Sequence, residues 1–196
     1  MIARVLNSVF ITGSLLFSSL VCFGMDETNT ANPPVDKEAN FALSYDAGYT
    51  IDAFINNGIG FGASFESKMG KNFSFVLDLA YEGLPITYNT YSSGPYGVPS
   101  YSSHTATINE LFIIGNFRYY FGQSLRGFYF SGGAGLFNAS LMGVSASGLI
   151  TPFFLGYKFM SKSGGIFLEP YVGYALLIAS SSASAFQFGA KIGFGF

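Results

Sequence analysis

The sequence predicts an all-β protein, an eight-stranded antiparallel up-and-down transmembrane β-barrel. Large apolar residues alternate with small or polar residues along eight segments, as expected for strands whose side chains point to opposite faces in turn. Charged residues make up only 10% of the chain and aromatic residues 18%, which is far less charge than a soluble domain carries. After residue 24 no apolar stretch is long enough for a spanning helix, so strands would have to cross the membrane.

The N-terminal segment has the order of a secretory signal peptide. Arg4 precedes an apolar stretch over residues 5–23, so we assign residues 1–24 to the signal and place the mature start near Met25. Residues 25–40 are polar and are predicted to form a flexible leader. Cys22 is the sole cysteine, so the mature chain makes no internal disulfide. An alternative in which Cys22 is lipidated stays open.

Period-two alternation defines the barrel over residues 41–196. The predicted strands are residues 41–50, 58–69, 73–82, 107–121, 127–138, 149–160, 166–176 and 185–196. In the first strand Tyr49 is assigned to the large apolar face. Gly58, Gly60 and Gly62 are interpreted as small inward residues of the second strand, because no helix follows them as a nucleotide-binding fingerprint requires.

The charged residues test this register independently, because large apolar residues alone define it. A shift of any strand by one residue would move its charges to the other face. All ten charged residues of the predicted strands fall opposite the aromatic residues: Asp46, Glu66, Lys68, Asp78, Glu82, Glu110, Arg118, Lys158, Glu169 and Lys191. They are predicted to form a mutually paired cluster inside the barrel, since buried charges require partners.

Side-chain volume decides which face is inside. The apolar face carries more large side chains than the interior of an eight-stranded barrel can hold, so we expect it to contact lipid. Aromatic girdles are expected at both membrane boundaries. Their predicted members are Tyr49, Tyr81 and Tyr174 at one end and Phe121, Phe128, Phe159 and Phe196 at the other.

Short and long connections alternate along the predicted barrel. Lys71, Arg126 and Lys162 mark short turns at the end that carries the termini. Longer loops are predicted at the opposite end, over residues 51–57, 83–106, 139–148 and 177–184. The longest contains Tyr88, Tyr91, Tyr96 and Tyr101 among Ser and Gly residues, a composition typical of loops that bind other molecules.

These features resemble the small eight-stranded bacterial outer-membrane barrels of the OmpX, OmpA transmembrane-domain and OmpW kind. The resemblance covers residues 41–196 and rests on strand number, alternating turns and the final Phe196. It implies a location in the outer membrane of a double-membraned bacterium, with outer-membrane lipid as a partner. It also implies that the terminal strand with Phe196 is the assembly signal for the barrel-insertion machinery.

Three functions are compatible with this expectation. The first is a structural surface protein with a largely filled lumen, whose loops display adhesion-type binding sites for an extracellular ligand. The alternative is an OmpW-like narrow conduit or pocket for small hydrophobic molecules, lined by the inward residues Phe112, Ile114, Phe137, Phe154, Phe167 and Tyr171.

A lipid-modifying barrel enzyme is the third, since Ser102, Ser103, His104 and Glu110 follow one another near the rim. We do not expect the chain to be an enzyme, because a single histidine in a loop is usually only exposed to solvent. No cofactor, metal or nucleic-acid partner is expected, since no Cys or His cluster occurs and the net charge is −2.

Overall fold

The structure, a computed structural model, describes residues 38–93, 99–161, 163–180 and 182–196. Eight antiparallel strands form a single closed sheet in sequence order, with the last strand paired to the first. The strands are β1 Phe41–Asp46, β2 Ile59–Lys68, β3 Phe73–Ser93, β4 Pro99–Tyr120, β5 Gly127–Leu141, β6 Val144–Lys158, β7 Gly165–Ile178 and β8 Ser182–Gly195, and a helix, α1 Ala47–Ile55, separates β1 from β2. The predicted all-β barrel is confirmed. The predicted signal peptide with Cys22 and residues 25–37 of the leader lie outside the described residues.

Side chains alternate between the outside and the lumen of the barrel along each strand. In β2, Phe61 and Phe65 are exposed on the outside, whereas Ser64 and Glu66 are buried inside. Inward residues of one strand pair with inward residues of the next. The same alternation therefore continues around the ring. The outside is therefore apolar, and the lumen contains small, aromatic and charged side chains.

The helix α1 replaces the second half of the predicted first strand. The Asp46 side chain accepts a hydrogen bond of 3.0 Å from the Gly48 backbone N–H and so caps the helix, a role for which Asp is among the preferred residues. Tyr49 belongs to this helix, and its ring centroid lies 6.2 Å from that of Phe112 inside the barrel. The predicted place of Tyr49 in an outer girdle is wrong. No helix of the described residues is long and apolar enough to cross a membrane.

The predicted long loop over residues 83–106 is mostly strand. β3 and β4 remain paired from Gly83 and Asn109 out to Ser93 and Pro99. Residues such as Thr87 favour strands, and this preference extends the hairpin where Ser and Gly content suggests a loop. We call residues 84–93 and 99–107, which extend beyond the neighbouring strands, the ribbon. Tyr96 lies outside the described residues.

Two other predicted loops are tight hairpins. β5 and β6 are joined by Met142 and Gly143, which have φ values of +51° and +81°, the conformation of a two-residue hairpin turn that follows the twist of its strands. β7 and β8 stay paired as far as Ile178 and Ser182. The end of the barrel opposite the termini is therefore built from α1 and prolonged hairpins.

The end of the barrel at which β1 begins and β8 ends has short turns that are hydrogen-bonded to one another. The Asn72 side-chain amide donates hydrogen bonds of 2.8 Å to the carbonyl oxygens of Tyr120 and Gly122. The Ser124 backbone N–H donates a 2.8 Å bond to the Lys71 carbonyl. Leu125 is buried beneath these turns. This end of the lumen is thus covered by the turns themselves.

Candidate functional site

The half of the lumen near the start of β1 and the end of β8 holds four buried charged side chains. The Arg118 guanidinium contacts Glu66 at 3.0 Å and Glu169 at 2.8 Å. The Lys158 ammonium contacts the same two carboxylates, with a distance of 3.1 Å to Glu169. Lys158 is only 1% exposed. Two cations and two anions therefore form a closed tetrad in which each charge has two partners of opposite sign.

Hydroxyl groups add hydrogen bonds to both carboxylates of this tetrad. The Tyr120 hydroxyl donates a 2.7 Å bond to Glu66, and the Tyr129 hydroxyl donates a 2.9 Å bond to Glu169. The Tyr129 ring also lies under the Arg118 guanidinium, 4.4 Å from its centroid. Buried charges are tolerated when their remaining hydrogen-bonding capacity is met, and the tyrosines contribute to this for Glu66 and Glu169.

A second charged cluster lies in the middle of the lumen around Lys191. Its ammonium bonds Asp78 and lies 3.9 Å from Asp46. The Tyr171 hydroxyl donates a 2.9 Å bond to Asp46, and the Asn116 amide donates a 2.7 Å bond to Asp78. One lysine is therefore shared by two aspartates, each of which has a further neutral donor.

The remaining predicted lumen charges lie outside both clusters. Glu82 and Glu110 face each other in register and are 2% and 6% exposed. Neither has a hydrogen bond or ion pair with another described residue. Asp52 of α1 acts electrostatically on both, and partial burial raises the pKa of the Asp52 carboxyl. Lys68 lies at the opposite rim and binds Glu38 at 2.6 Å.

Little open space remains among these side chains. A cavity of about 20 Å³ lies between Asp46, Asp78, Arg118 and Tyr171, which is room for about one water molecule. Three buried polar atoms of the described residues have no hydrogen-bond partner: the Asn116 Oδ1, the Arg118 Nε and the Ser131 Oγ. Charged and aromatic side chains therefore lie close together around this cavity.

Four of the six residues predicted to line an apolar pocket line the cavity of about 20 Å³, in company with charged residues: Phe112, Ile114, Phe154 and Tyr171. Phe112, Ile114 and Phe137 form a packed core in the half of the lumen below α1. The Phe154 ring packs edge-on against Tyr171 at 5.3 Å. Phe167 lies under the Lys158 ammonium at 4.3 Å. One small cavity therefore brings four of the six together, whereas Phe137 and Phe167 do not line it.

The helix α1 lies against the inner face of β2 and covers the mouth of the lumen. A Cβ atom on Gly60 would lie 2.8 Å from the Ala53 Cβ and would also clash with the Tyr49 carbonyl oxygen. Ala53 is fully buried, whereas Phe54 on the same helix is 81% exposed. Glycine in β2 thus provides the space in which the helix rests.

The ribbon carries the predicted surface tyrosines. Tyr91 and Tyr101 pair across it with ring centroids 4.8 Å apart, and both are exposed. Tyr88 stacks on His104 at 5.5 Å, and the His104 Nε2 hydrogen bonds the Thr90 hydroxyl at 3.1 Å. These side chains are held on a paired scaffold, which orders them more than a loop would.

The residues considered for hydrolysis are not assembled. Ser103 and His104 are adjacent in β4 and so point to opposite faces of the ribbon. His104 contacts Thr90 rather than Ser102, and Glu110 is buried below in the mouth. Among the described residues, no three or more His, Cys, Asp and Glu side chains are arranged to hold a metal ion.

Phe196 closes the ring of strands. Its backbone N–H donates a 2.8 Å bond to the Phe41 carbonyl, and its own carbonyl accepts bonds of 2.9 Å from Asn40 and Phe41. The Phe196 side chain is exposed on the outside and lies 6.0 Å from the Phe41 ring. The predicted assembly residue is therefore part of the seam between β8 and β1.

No protein-family model matches the chain, and no curated protein matches it.

Sequence reasoning missed the role of the inward glycines. Five inward aromatic residues each lie directly opposite a glycine on the next strand: Phe137 and Gly148, Tyr129 and Gly156, Phe154 and Gly173, Tyr171 and Gly189, and Phe167 and Gly193. In each pair a Cβ on the glycine would run into the ring. The signal was present in the sequence as inward glycines, but only the strand register shows which ring covers which glycine.

Proposed function

We propose that the chain is a β-barrel of a bacterial outer membrane whose filled lumen makes it a rigid base for the display of the ribbon at the cell surface. The main support is the outside of the barrel, where exposed apolar residues continue around every strand. Examples from the eight strands are Leu43, Phe61, Leu79, Ile113, Phe130, Leu155, Tyr174 and Phe188. Such an apolar belt is stable in contact with lipid, whereas water would drive it to associate.

The outward face of the β3–β4 hairpin changes from apolar to more polar at the level of Tyr81 and Leu111. Up to Tyr81 and Leu111 its outward residues are large and apolar except for Gly115, and the Tyr81 hydroxyl donates a 2.8 Å bond to Asn109. Beyond this level the outward residues of the ribbon include Thr87 and Thr105, which are exposed and polar. A tyrosine at such a boundary is typical of a membrane interface. The ribbon would then stand in water beyond the bilayer.

The filled lumen favours display over passage of hydrophobic molecules. Charged clusters, packed aromatic rings and α1 occupy the interior in succession, and a solute would have to displace all three. The ribbon, in contrast, extends beyond the neighbouring strands and presents Tyr91 and Tyr101 to the surroundings. Large exposed tyrosines on a paired scaffold offer contact area at low cost in conformational entropy.

Surface labelling tests the orientation. Cysteines introduced at Ser92 in the ribbon and Ser145 in the β5–β6 hairpin should react with a membrane-impermeant reagent on intact cells. A cysteine at Gln123, in a turn at the opposite end, should react only after the outer membrane is opened. Labelling of Gln123 alone on intact cells would reverse the proposed orientation.

Deletion of the ribbon separates display from transport. Replacement of residues 87–105 by a two-residue turn should leave the barrel folded and resistant to protease, because the removed residues make no pairs with β2 or β5. Adhesion of cells that carry the chain should be lost. Retained adhesion, combined with ion or solute flux through the refolded intact chain, would favour passage instead.

A further inference from the structure

The ribbon has two outer edges with no neighbouring strand. β2 accompanies β3 only as far as Gly83, and β5 accompanies β4 only as far as Ile108. Beyond these residues β3 and β4 pair only with each other. Backbone N–H and C=O groups along both outer edges therefore lack a strand partner among the described residues. An unpaired edge of this kind is a template for another strand.

These edges lack the protection that exposed strands normally carry. Proteins guard free edges with charged side chains, especially lysine, or with proline. No charged residue occurs between Gly83 and Asn109. Pro85 interrupts the β3 edge, whereas residues 100–107 of the β4 edge contain no proline. The β4 edge is therefore the better template for strand addition.

We propose that this edge binds the same edge of a second copy of the chain, held in a facing membrane. The inference rests on the proposed function, in which the ribbon stands outside the cell. An uncharged edge meets an identical edge without repulsion, and a two-fold axis places the same residues on both sides of the contact. The ligand of the ribbon is then the ribbon of another molecule.

The orientation of the barrel decides where the second copy lies. Copies in one membrane all point the same way, so their β4 edges would meet in parallel. A copy in a facing membrane is reversed, so the two edges meet antiparallel, which is the more stable pairing per residue. Each contact is weak by itself, but many copies on two facing surfaces act together. The expected result is adhesion between like cells.

Antiparallel pairing of residues 100–106 with a second copy centres on Ser103. Ser103 then faces Ser103 of the other copy, and Tyr101 faces Thr105. The Ser103 side chain is exposed and points to the outward face of the ribbon. A charged residue at position 103 would face the identical charge of the second copy across the two-fold axis. Like charges opposite each other destabilise a strand pair.

Mixtures of charged variants provide the test. The full chain is refolded into two populations of vesicles with different fluorescent labels, and clustering is followed by light scattering and energy transfer. Wild-type vesicles should cluster. Vesicles with Ser103→Lys or Ser103→Glu should each cluster at least tenfold more slowly, whereas a mixture of the two should recover the wild-type rate. Ser145→Lys adds the same charge at the same end but off the ribbon and should cluster like wild type.

The outcomes separate the two proposals. Failure of the chain to fold into vesicles would overturn both. If the chain folds but wild-type vesicles do not cluster, self-recognition is wrong and display to another partner stands. Clustering of Ser103→Lys at the wild-type rate, or failure of the Lys and Glu variants to cluster with each other, would overturn the antiparallel pairing centred on Ser103.

Discussion

At the scale of single residues, the lumen is built from pairs in which an aromatic ring of one strand packs on a glycine of the neighbouring strand. Tyr171 lies over Gly189, and Phe167 lies over Gly193. A flat ring against a bare backbone gives close packing without a second side chain, which a narrow barrel has no room for. Period-two alternation predicts that these residues face inward. It does not predict the pairing, because the register between strands depends on turns whose lengths the sequence leaves open.

Alanine at Gly193 tests this packing. A Cβ there would lie 2.5 Å from the Phe167 ring and would also meet the Leu43 carbonyl oxygen. We expect Gly193→Ala to lower the free energy of unfolding by about 1–3 kcal/mol, the usual cost of overpacking. Gly115→Ala is the control, since its Cβ would find its nearest neighbour at 3.4 Å on the outer face. Urea titrations of the refolded proteins measure the free energy of unfolding of both variants. An equal decrease in the two would contradict the packing of the Phe167 ring on Gly193.

The buried tetrad makes Lys158 far more sensitive than Lys68. Lys158→Met leaves Glu66 and Glu169 with Arg118 as the remaining cation of the tetrad, and breaking a buried pair typically costs about 3–5 kcal/mol. Lys68→Met removes a pair with the exposed Glu38, which should cost at most about 1 kcal/mol. The same unfolding titrations compare them. A similar small loss for both variants would mean that Lys158 contributes no more than a rim residue.

At the scale of elements, α1 is the feature that alternation obscures. Residues 47–50 continue the pattern of the first strand, yet Asp46 offers its carboxylate to the first turn of a helix. The local sequence is compatible with a continued strand and with a helix. The helix prevails because Gly60 in β2 leaves space for it, and that information lies in another element. The ribbon shows the same limit, since its Ser and Pro residues suggest a loop although its Thr and Tyr residues favour strands.

Valine at Gly60 should displace α1 and leave the barrel in place. The added side chain would enter the space held by Ala53 and Tyr49. We expect faster amide hydrogen exchange and new protease cleavage within residues 47–55, with protection of the strands unchanged. Gly122→Val is the control, because a Cβ there has no neighbour within 4 Å. Unchanged protection of α1 in Gly60→Val would show that the helix does not depend on this space.

At the scale of the whole molecule, one pattern orders the structure from outside to inside. The outside is apolar, and each buried charge of the two clusters has a partner of opposite sign in the lumen. The sequence predicts this separation because small, polar or charged residues alternate with large apolar residues along the strands. The positions of the clusters along the lumen are less predictable, since they depend on how strands are staggered around the ring.

Arginine on the outside tests whether the apolar belt meets lipid. Leu155→Arg should lower the stability in lipid vesicles by about 2–4 kcal/mol if this residue lies near the bilayer midplane. Thr87→Arg places the same side chain on the outward face of the ribbon, beyond the belt, and should cost less than about 1 kcal/mol. Folding titrations into vesicles measure the stability of both variants. Equal tolerance would contradict a lipid-facing belt at the level of Leu155.

The seam between β1 and β8 has a consequence for the order of folding. The ring closes only when Phe41 meets Phe196, two residues separated by nearly the whole barrel sequence. Until β8 has been synthesised, every partial product has two open edges and an apolar outer face. Loop-closure entropy makes such a long-range contact slow to form. Closure of the barrel must therefore follow the synthesis of β8, and until then the partial barrel needs protection from aggregation.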